Sequence, residues 1–295
     1  MNNFSISQLA QFSGIKAHTI RIWEQRYSTL KPNRTDGNTR YYDDEQLRRL
    51  LNIVSLSSIN YKVSDLSRMS DNELFTLVSD TNNVEEENGQ ANYFISQLIS
   101  AGMSYDEAGF EKMFSHCLLH FGLKDTYLKV LYPLLVRLGF MWSSDKIPPT
   151  HEHFISNLIR QKLFTAIDSI QASEATSDTW VLFLPENEFH EIGLLFANYL
   201  LRSNGKKTIY LGTNVPLESV ITLLNNSAIE NVLLFFVHHD FPEEIKNYLT
   251  QLSNEFKGIN IFVSSHQIFT KQLGKINKVS FLHSVEELEK QLIHA

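Results

Sequence analysis

From about residue 178 the chain alternates between short apolar runs and amphipathic stretches, and this alternation restricts its fold more than any other feature. TWVLFLP, KKTIYLG, NVLLFFVH and NIFVSS are the apolar runs; IGLLFANYLLRS, LESVITLLNN, FPEEIKNYLTQLSNE and SVEELEKQLIHA are the helical ones. Apolar runs of strand length, interleaved with helices, predict a parallel sheet wrapped by helices, with ligand sites at the carboxyl ends of the strands. His190, Gly212, His238 and Ser264 fall just past such ends.

The preceding part reads differently. SDTNNVEEENGQ at 79–90 is polar, acidic and almost free of core residues, which predicts a linker. The expected organisation is therefore a domain over 1–78, a linker over 79–90, a helical bundle over 91–175 and the α/β domain over 178–295. Residues 1–70 hold ten Lys or Arg against six Asp or Glu, whereas the whole chain has a net charge of -7. A basic head on an acidic body is the distribution expected when only the head meets a polyanion. A single cysteine, Cys117, excludes an internal disulfide and any cysteine-rich zinc module. No apolar run reaches the roughly 18 residues of a membrane span, and the N-terminus lacks the order of a signal peptide, so the expected location is the cytoplasm, with no membrane partner.

In the head, Ser5 is placed to cap a helix with Ile6, Leu9 and Phe12 on one stripe, and Gly14 suits the turn that follows. Ile20, Trp23 and Tyr27 form the stripe of a second helix, which would carry Lys16, His18, Thr19 and Arg21 towards a major groove. Asp36-Gly37 predicts a hairpin flanked by Arg34 and Arg40, a wing presenting two guanidinium groups to phosphates. Asp43 then caps another helix, with Gln46 completing a capping box.

The run T-I-R-I-W-E-Q-R-Y, a P-x-R wing and R-Y-Y before an acidic cap together resemble the winged-helix DNA-binding domain of the MerR family, over residues 4 to about 70. The resemblance implies DNA contacts from Lys16, Thr19, Arg21, Tyr27, Arg34, Arg40 and Tyr41. It also implies binding as a dimer or tetramer to a near-palindromic, double-stranded operator that is read partly through deformation.

Between residues 91 and 172 the pattern predicts four helices. Here Trp142, Glu152 and His153 match a Trp-x9-Glu-His signature, similar to that of the bundles that cap adenosylcobalamin in cobalamin-binding MerR regulators. A flat indole can cover one face of a corrin-bound group, and a Glu-His pair at a helix start can hydrogen-bond a ribose or purine edge. His151 and His153 are too close in sequence for the helical zinc pair, which needs histidines four apart.

Glu188-Phe-His190-Glu-Ile-Gly193 resembles the Asp/Glu-x-His-x-x-Gly motif of cobalamin-binding Rossmann-like domains. The resemblance makes His190 the lower axial cobalt ligand, Glu188 the carboxylate that orients it, and Gly193 a point of close approach to the corrin. Imidazole donates well to cobalt, and a carboxylate on its other nitrogen fixes the tautomer. The nucleotide tail of the family's cofactor lies in a slot lined by a small hydroxyl residue after one strand and Gly-Gly after the next. This chain has His238 and Ser264-Ser265 there.

The expected fold is thus multi-domain, α and α/β: a winged helix-turn-helix, a four-helix bundle and a Rossmann-like (flavodoxin-like) parallel domain. The expected function is a DNA-binding transcriptional regulator controlled by adenosylcobalamin or methylcobalamin held between bundle and Rossmann-like domain. The alternative is a regulator whose cofactor domain has degenerated into an assembly or partner-sensing module. A cobalamin enzyme would need a substrate domain, for which no residues remain.

Overall fold

A computed structural model of the chain describes residues 4–34, 38–80, 87–142, 148–172, 178–237, 242–256 and 258–293. His238, the Asp36-Gly37 turn and the centre of the acidic stretch lie outside the described residues, as does the side chain of Trp142. The chain divides into two compact units, Met1–Leu158 and Ile159–Ala295.

The first unit opens with α1 (Ile6–Ser13). Ser5 and Gln8 satisfy each other's backbone N–H, a complete capping box, and Leu9 and Phe12 are fully buried. Gly14 ends the helix at φ 71°, the left-handed conformation that glycine adopts without steric cost. Helix α2 (Ala17–Tyr27) follows and buries Ile20. Strands β1 (Asn33–Arg34) and β2 (Arg40–Tyr41) then pair antiparallel, and Phe4 bridges Tyr42 through two backbone hydrogen bonds that tie the start of the chain to the exit of the wing. Helix α3 (Asp44–Ser57) is capped by Asp43, which accepts from Gln46 N at 2.9 Å. The side chain of Gln46 reaches the Asp43 carboxylate, where the expected box would have it on the backbone.

Two short helices, α4 (Val63–Leu66) and α5 (Asp71–Asp80), close the head. Arg49 of α3 holds them in place: its guanidinium donates to the carbonyls of Thr29, Ser67 and Met69 and pairs with Asp71 at 2.5 Å. Helical structure enters the predicted linker from both sides, since α5 reaches Asp80 and α6 (Glu87–Met103) begins at Glu87.

The bundle comprises α6, α7 (Glu107–Thr126), α8 (Tyr132–Trp142) and α9 (Pro149–Asp168). Gly102 lets α9 approach closely, because a Cβ there would lie 2.3 Å from Ile155 Cδ1. Gly122 interrupts α7 at φ 71°, ψ 172°, and a π turn over Tyr127–Leu131 joins α7 to α8. Pro133 accounts for the wider turn: it has no N–H to donate one turn back, and its ring crowds the carbonyl of residue 129. Cys117 is fully buried in this core, which pushes its thiol well above the usual range and makes it unreactive.

In the second unit a five-stranded parallel sheet has the order β4-β3-β5-β6-β7, from β3 (Thr179–Pro185), β4 (Lys207–Val215), β5 (Asn231–Phe235), β6 (Asn260–Ser264) and β7 (Val279–Leu282). Helices α10 (Ile192–Ser203), α11 (Leu217–Asn226), α12 (Pro242–Glu255), α13 (Gln267–Leu273) and α14 (Val285–Ile293) alternate with them. Interior strand β3 is buried along its whole length. At its start Asp178 accepts from Trp180 Nε1 and Asn231 Nδ2 and pairs with Lys206, joining the amino ends of β3, β4 and β5. Chain order reverses between β3 and β5, so their carboxyl ends flank the switch point where such sheets bind ligands. Gly212 lies inside β4 and not past its end: the register skips Leu211 there, a bulge that Gly212 accommodates at φ 81°.

Candidate functional site

The head presents its predicted DNA-facing residues at the surface. Lys16 is the N-cap of α2 and is exposed, as are His18, Arg21, Tyr27, Arg34 and Arg40; Thr19 and Tyr41 are half-buried. In the wing, Arg34 and Arg40 are direct partners across the ladder. Like charges in that register repel, so the pair favours an anionic partner. Arg34 Nη1 also donates to Asn38 Oδ1 at 2.5 Å, which orients its guanidinium. Tyr42, fully buried, donates to Glu24 of α2 at 2.5 Å, so the wing and the reading helix share a fixed joint. Burial and the Glu24 carboxylate push the Tyr42 hydroxyl far above its usual range, keeping it a donor at all physiological pH.

At the start of α9 the three consecutive polar residues separate by direction. His151 is 2% exposed and stacks on Tyr105 at 4.5 Å, whereas Glu152 and His153 pair with each other at 3.0 Å nearer the surface. Trp142 is the last residue of α8.

The second unit builds its site on one carboxylate. Glu188, 4% exposed, accepts from the backbone N–H of Phe189 and His190 on Oε1 and from that of Val237 on Oε2 at 2.8 Å. It therefore bridges the loop after β3 to the chain leaving β5, across the switch point. The same Oε1 lies 2.6 Å from His190 Nδ1. A carboxylate only accepts, so the proton between them sits on Nδ1, and in the neutral imidazole this leaves the lone pair on Nε2. The His190 side chain is 47% exposed, so an oriented nitrogen donor stands at the sheet edge. One oriented imidazole fits a metal that favours nitrogen donors, and would fit the cobalt of a corrin among them.

Glu191 has a separate role, accepting from Tyr210 of β4 at 2.8 Å and facing Arg160 of α9 at 3.6 Å. Asn214, which the sequence did not single out, completes the loop: its Oδ1 accepts from Asn187 N and its N–H donates to Glu188 O. Asn187 and Asn214 both take positive φ, a conformation that asparagine tolerates better than most residues, and this is the only sequence-level hint of their role. Gly193 lies half-buried in the first turn of α10.

Ser264 ends β6, half-buried, and Ser265 donates its hydroxyl to the carbonyl of Phe236 at 2.8 Å, tying the carboxyl ends of β5 and β6 together. His283, after β7, contacts the Ser265 carbonyl through Nδ1 at 3.2 Å. Phe189 and Val237, 57% and 46% exposed, leave apolar surface beside His190. Among the described residues no group of three or more His, Cys, Asp or Glu forms an all-protein metal cage, and no helix is long and apolar enough to cross a membrane.

Comparison with known proteins agrees with this division. Residues 4–73 match the MerR HTH family regulatory protein, and residues 95–166 match the B12 binding domain, a span running from α6 into α9. The HTH-type transcriptional repressor CarH of Myxococcus xanthus is 25% identical over 280 residues, covering 92% of this chain and 93% of that protein. The HTH-type transcriptional repressor CarA of the same organism is 24% identical over 248 residues, 83% of this chain and 80% of that one. Among solved structures, the Methanosarcina barkeri monomethylamine corrinoid protein aligns with TM-score 0.49 and 18% identity over 66% of this chain and 95% of that one. The chain thus joins a MerR-type helix-turn-helix domain to a B12 binding domain and is homologous to the repressors CarH and CarA.

Proposed function

We propose that this protein is a transcriptional regulator that binds double-stranded operator DNA through α2 and its wing and whose binding is controlled by cobalamin. The observation that carries the cofactor half is the Glu188–His190 pair at 2.6 Å, in a loop that Glu188 itself pins across the switch point. Such an arrangement fixes one imidazole nitrogen for a metal, with the carboxylate holding the ring in place, which is a binding chemistry. When bound, cobalamin supplies the cobalt that accepts His190 Nε2. His190 donates to it, Glu188 fixes the tautomer, and Phe189 with Val237 offers apolar surface to the macrocycle. By the resemblance, Trp142, Glu152 and His153 would help hold the cofactor's adenosyl group, and Ser264 and Ser265 its nucleotide tail. Lys16, His18, Thr19 and Arg21 read or approach the groove, while Tyr27, Arg34, Arg40 and Tyr41 position the backbone. The regulator works in the cytoplasm as a dimer or tetramer, and the ligand acts by favouring one assembly or conformation over another.

The test is retention of colour. Protein loaded with adenosylcobalamin or methylcobalamin and desalted should emerge red, and His190→Ala should either lose the cofactor or shift its visible spectrum; a colourless wild-type eluate sinks the proposal. A second reading has one observation in its favour. The Ser265 hydroxyl closes the β5–β6 edge from within, as it would in a domain that keeps the fold for assembly and binds no cofactor. A colourless but oligomeric, DNA-binding protein is the outcome that selects it.

A further inference from the structure

The DNA-binding head and bundle helices α6, α7 and α8 belong to one compact unit, and their junction is specific. Helix α3 packs along α6, where Gln97 donates to Asn52 Oδ1 at 3.2 Å and to Ser55 Oγ at 3.0 Å; Asn52 and Ser55 are buried. Helix α1 packs against α8. At that second contact Arg137 of α8 lays its guanidinium over the turn between α1 and α2. Cζ, Nη1 and Nη2 all lie 3.4 Å from the point where Gly14 would carry a Cβ, so the group faces the turn broadside. Arg137 Nη2 donates to Asn92 Oδ1 of α6 at 3.0 Å, which holds the plane in that orientation. Burial pushes the guanidinium below its ordinary range, and among the described residues no carboxylate pairs with it.

Two residues beyond Gly14 stands Lys16, the N-cap of the reading helix. The turn that Arg137 covers is therefore the element that sets the pose of α2. Five residues further along the same helix is Trp142, about 7.5 Å away along the axis. The helix that carries both begins at the π turn over Tyr127–Leu131, where Tyr132 N donates to Tyr127 O. A π turn holds one extra residue per turn, and its conversion to α geometry rotates everything that follows.

We infer that α8 is the mechanical link between the bundle and the DNA-binding head, with Arg137 as the positioning residue that holds the α1–α2 turn. Its regulatory role rests on the cobalamin reading above; the latch itself does not. An event at the Trp142 end of α8 reaches the reading helix through Arg137, without passing through the acidic stretch at 79–90.

The full-length protein tests this with Arg137→Met, which keeps the apolar stem, and Asn92→Ala, an exposed change that removes the acceptor and keeps the inference testable should the first variant misfold. Amide hydrogen exchange over Ile15–Ile20 should accelerate several-fold in both, with exchange in α14 unchanged; unaltered exchange at 15–20 overturns the latch, whatever the cofactor does. Operator affinity is then measured with and without adenosylcobalamin. Wild type should show a coupling ratio of about fivefold or more, and the variants a ratio near one while still eluting red. An undiminished ratio in the variants overturns the linkage. A colourless wild type fails the cobalamin reading and leaves the exchange result to judge the latch. The salt dependence separates positioning from direct contact: the slope should stay as in wild type, and a loss of about 0.9 in the log–log slope would make Arg137 a phosphate ligand instead.

Discussion

At the scale of single residues, each proposed functional side chain is held by a partner that the sequence does not place beside it. Arg34 and Arg40 flank a predicted turn, but their direct cross-strand pairing appears only in the fold. That register yields a signature: Arg40→Ala should weaken operator binding and flatten the log–log salt slope by about 0.9, as expected for one lost phosphate contact. Its unfolding midpoint should hold steady or rise by the equivalent of a few tenths of a kcal/mol, since a like-charge pair is removed. Unchanged affinity in a filter-binding or anisotropy titration would remove Arg40 from the interface. Glu188 shows the same logic in the second unit. Its spacing to His190 was legible, because two residues are close in any loop. Its bond to Val237 N was not, because those residues are 49 apart in sequence and meet only when β3 and β5 pair.

Elements were legible where their periodicity was strong and less so where the chain is short or strained. Strands β3 to β6 and the helices between them followed from their apolar runs, most clearly β3 and β5, whose burial leaves little room for polar residues. Helix α13 and strand β7 were missed: seven and four residues are too few to display a period, and β7 lies at the sheet edge, where only Leu282 of its residues is buried. The π turn was likewise invisible, although Pro133 marks its cause. Gly122 offers a clean test of element strain. Its φ and ψ belong to a region populated almost only by glycine, while a Cβ at that position would meet nothing within 4 Å. Gly122→Ala should therefore cost about 1–3 kcal/mol through backbone strain alone, read as a lowered urea midpoint with unchanged slope. A neutral substitution would show that the backbone relaxes there.

For the whole molecule, the basic head and acidic remainder suit a protein that meets DNA with one end only. Ligand linkage is the global consequence of the proposed cofactor site. A ligand that binds only the folded state stabilises it by about 2.7 kcal/mol at a hundredfold excess over Kd, so adenosylcobalamin should raise Tm in a concentration-dependent way. His190→Ala should blunt that rise. A Tm indifferent to cobalamin in the wild type would agree only with the degenerate-domain reading.

The sequence by itself determined the order of parts, the winged helix-turn-helix, the α/β alternation and the pair Glu188–His190, because each is written in local spacing, capping or periodicity. Tertiary structure alone decided that Arg34 opposes Arg40, that Glu188 spans two strands, that Ser265 closes on Phe236 and that Arg137 rests on Gly14. The physical reason is common to all four. Each contact joins residues whose proximity depends on strand register or helix packing, and those are fixed by the burial of whole faces, not by the residues that finally touch.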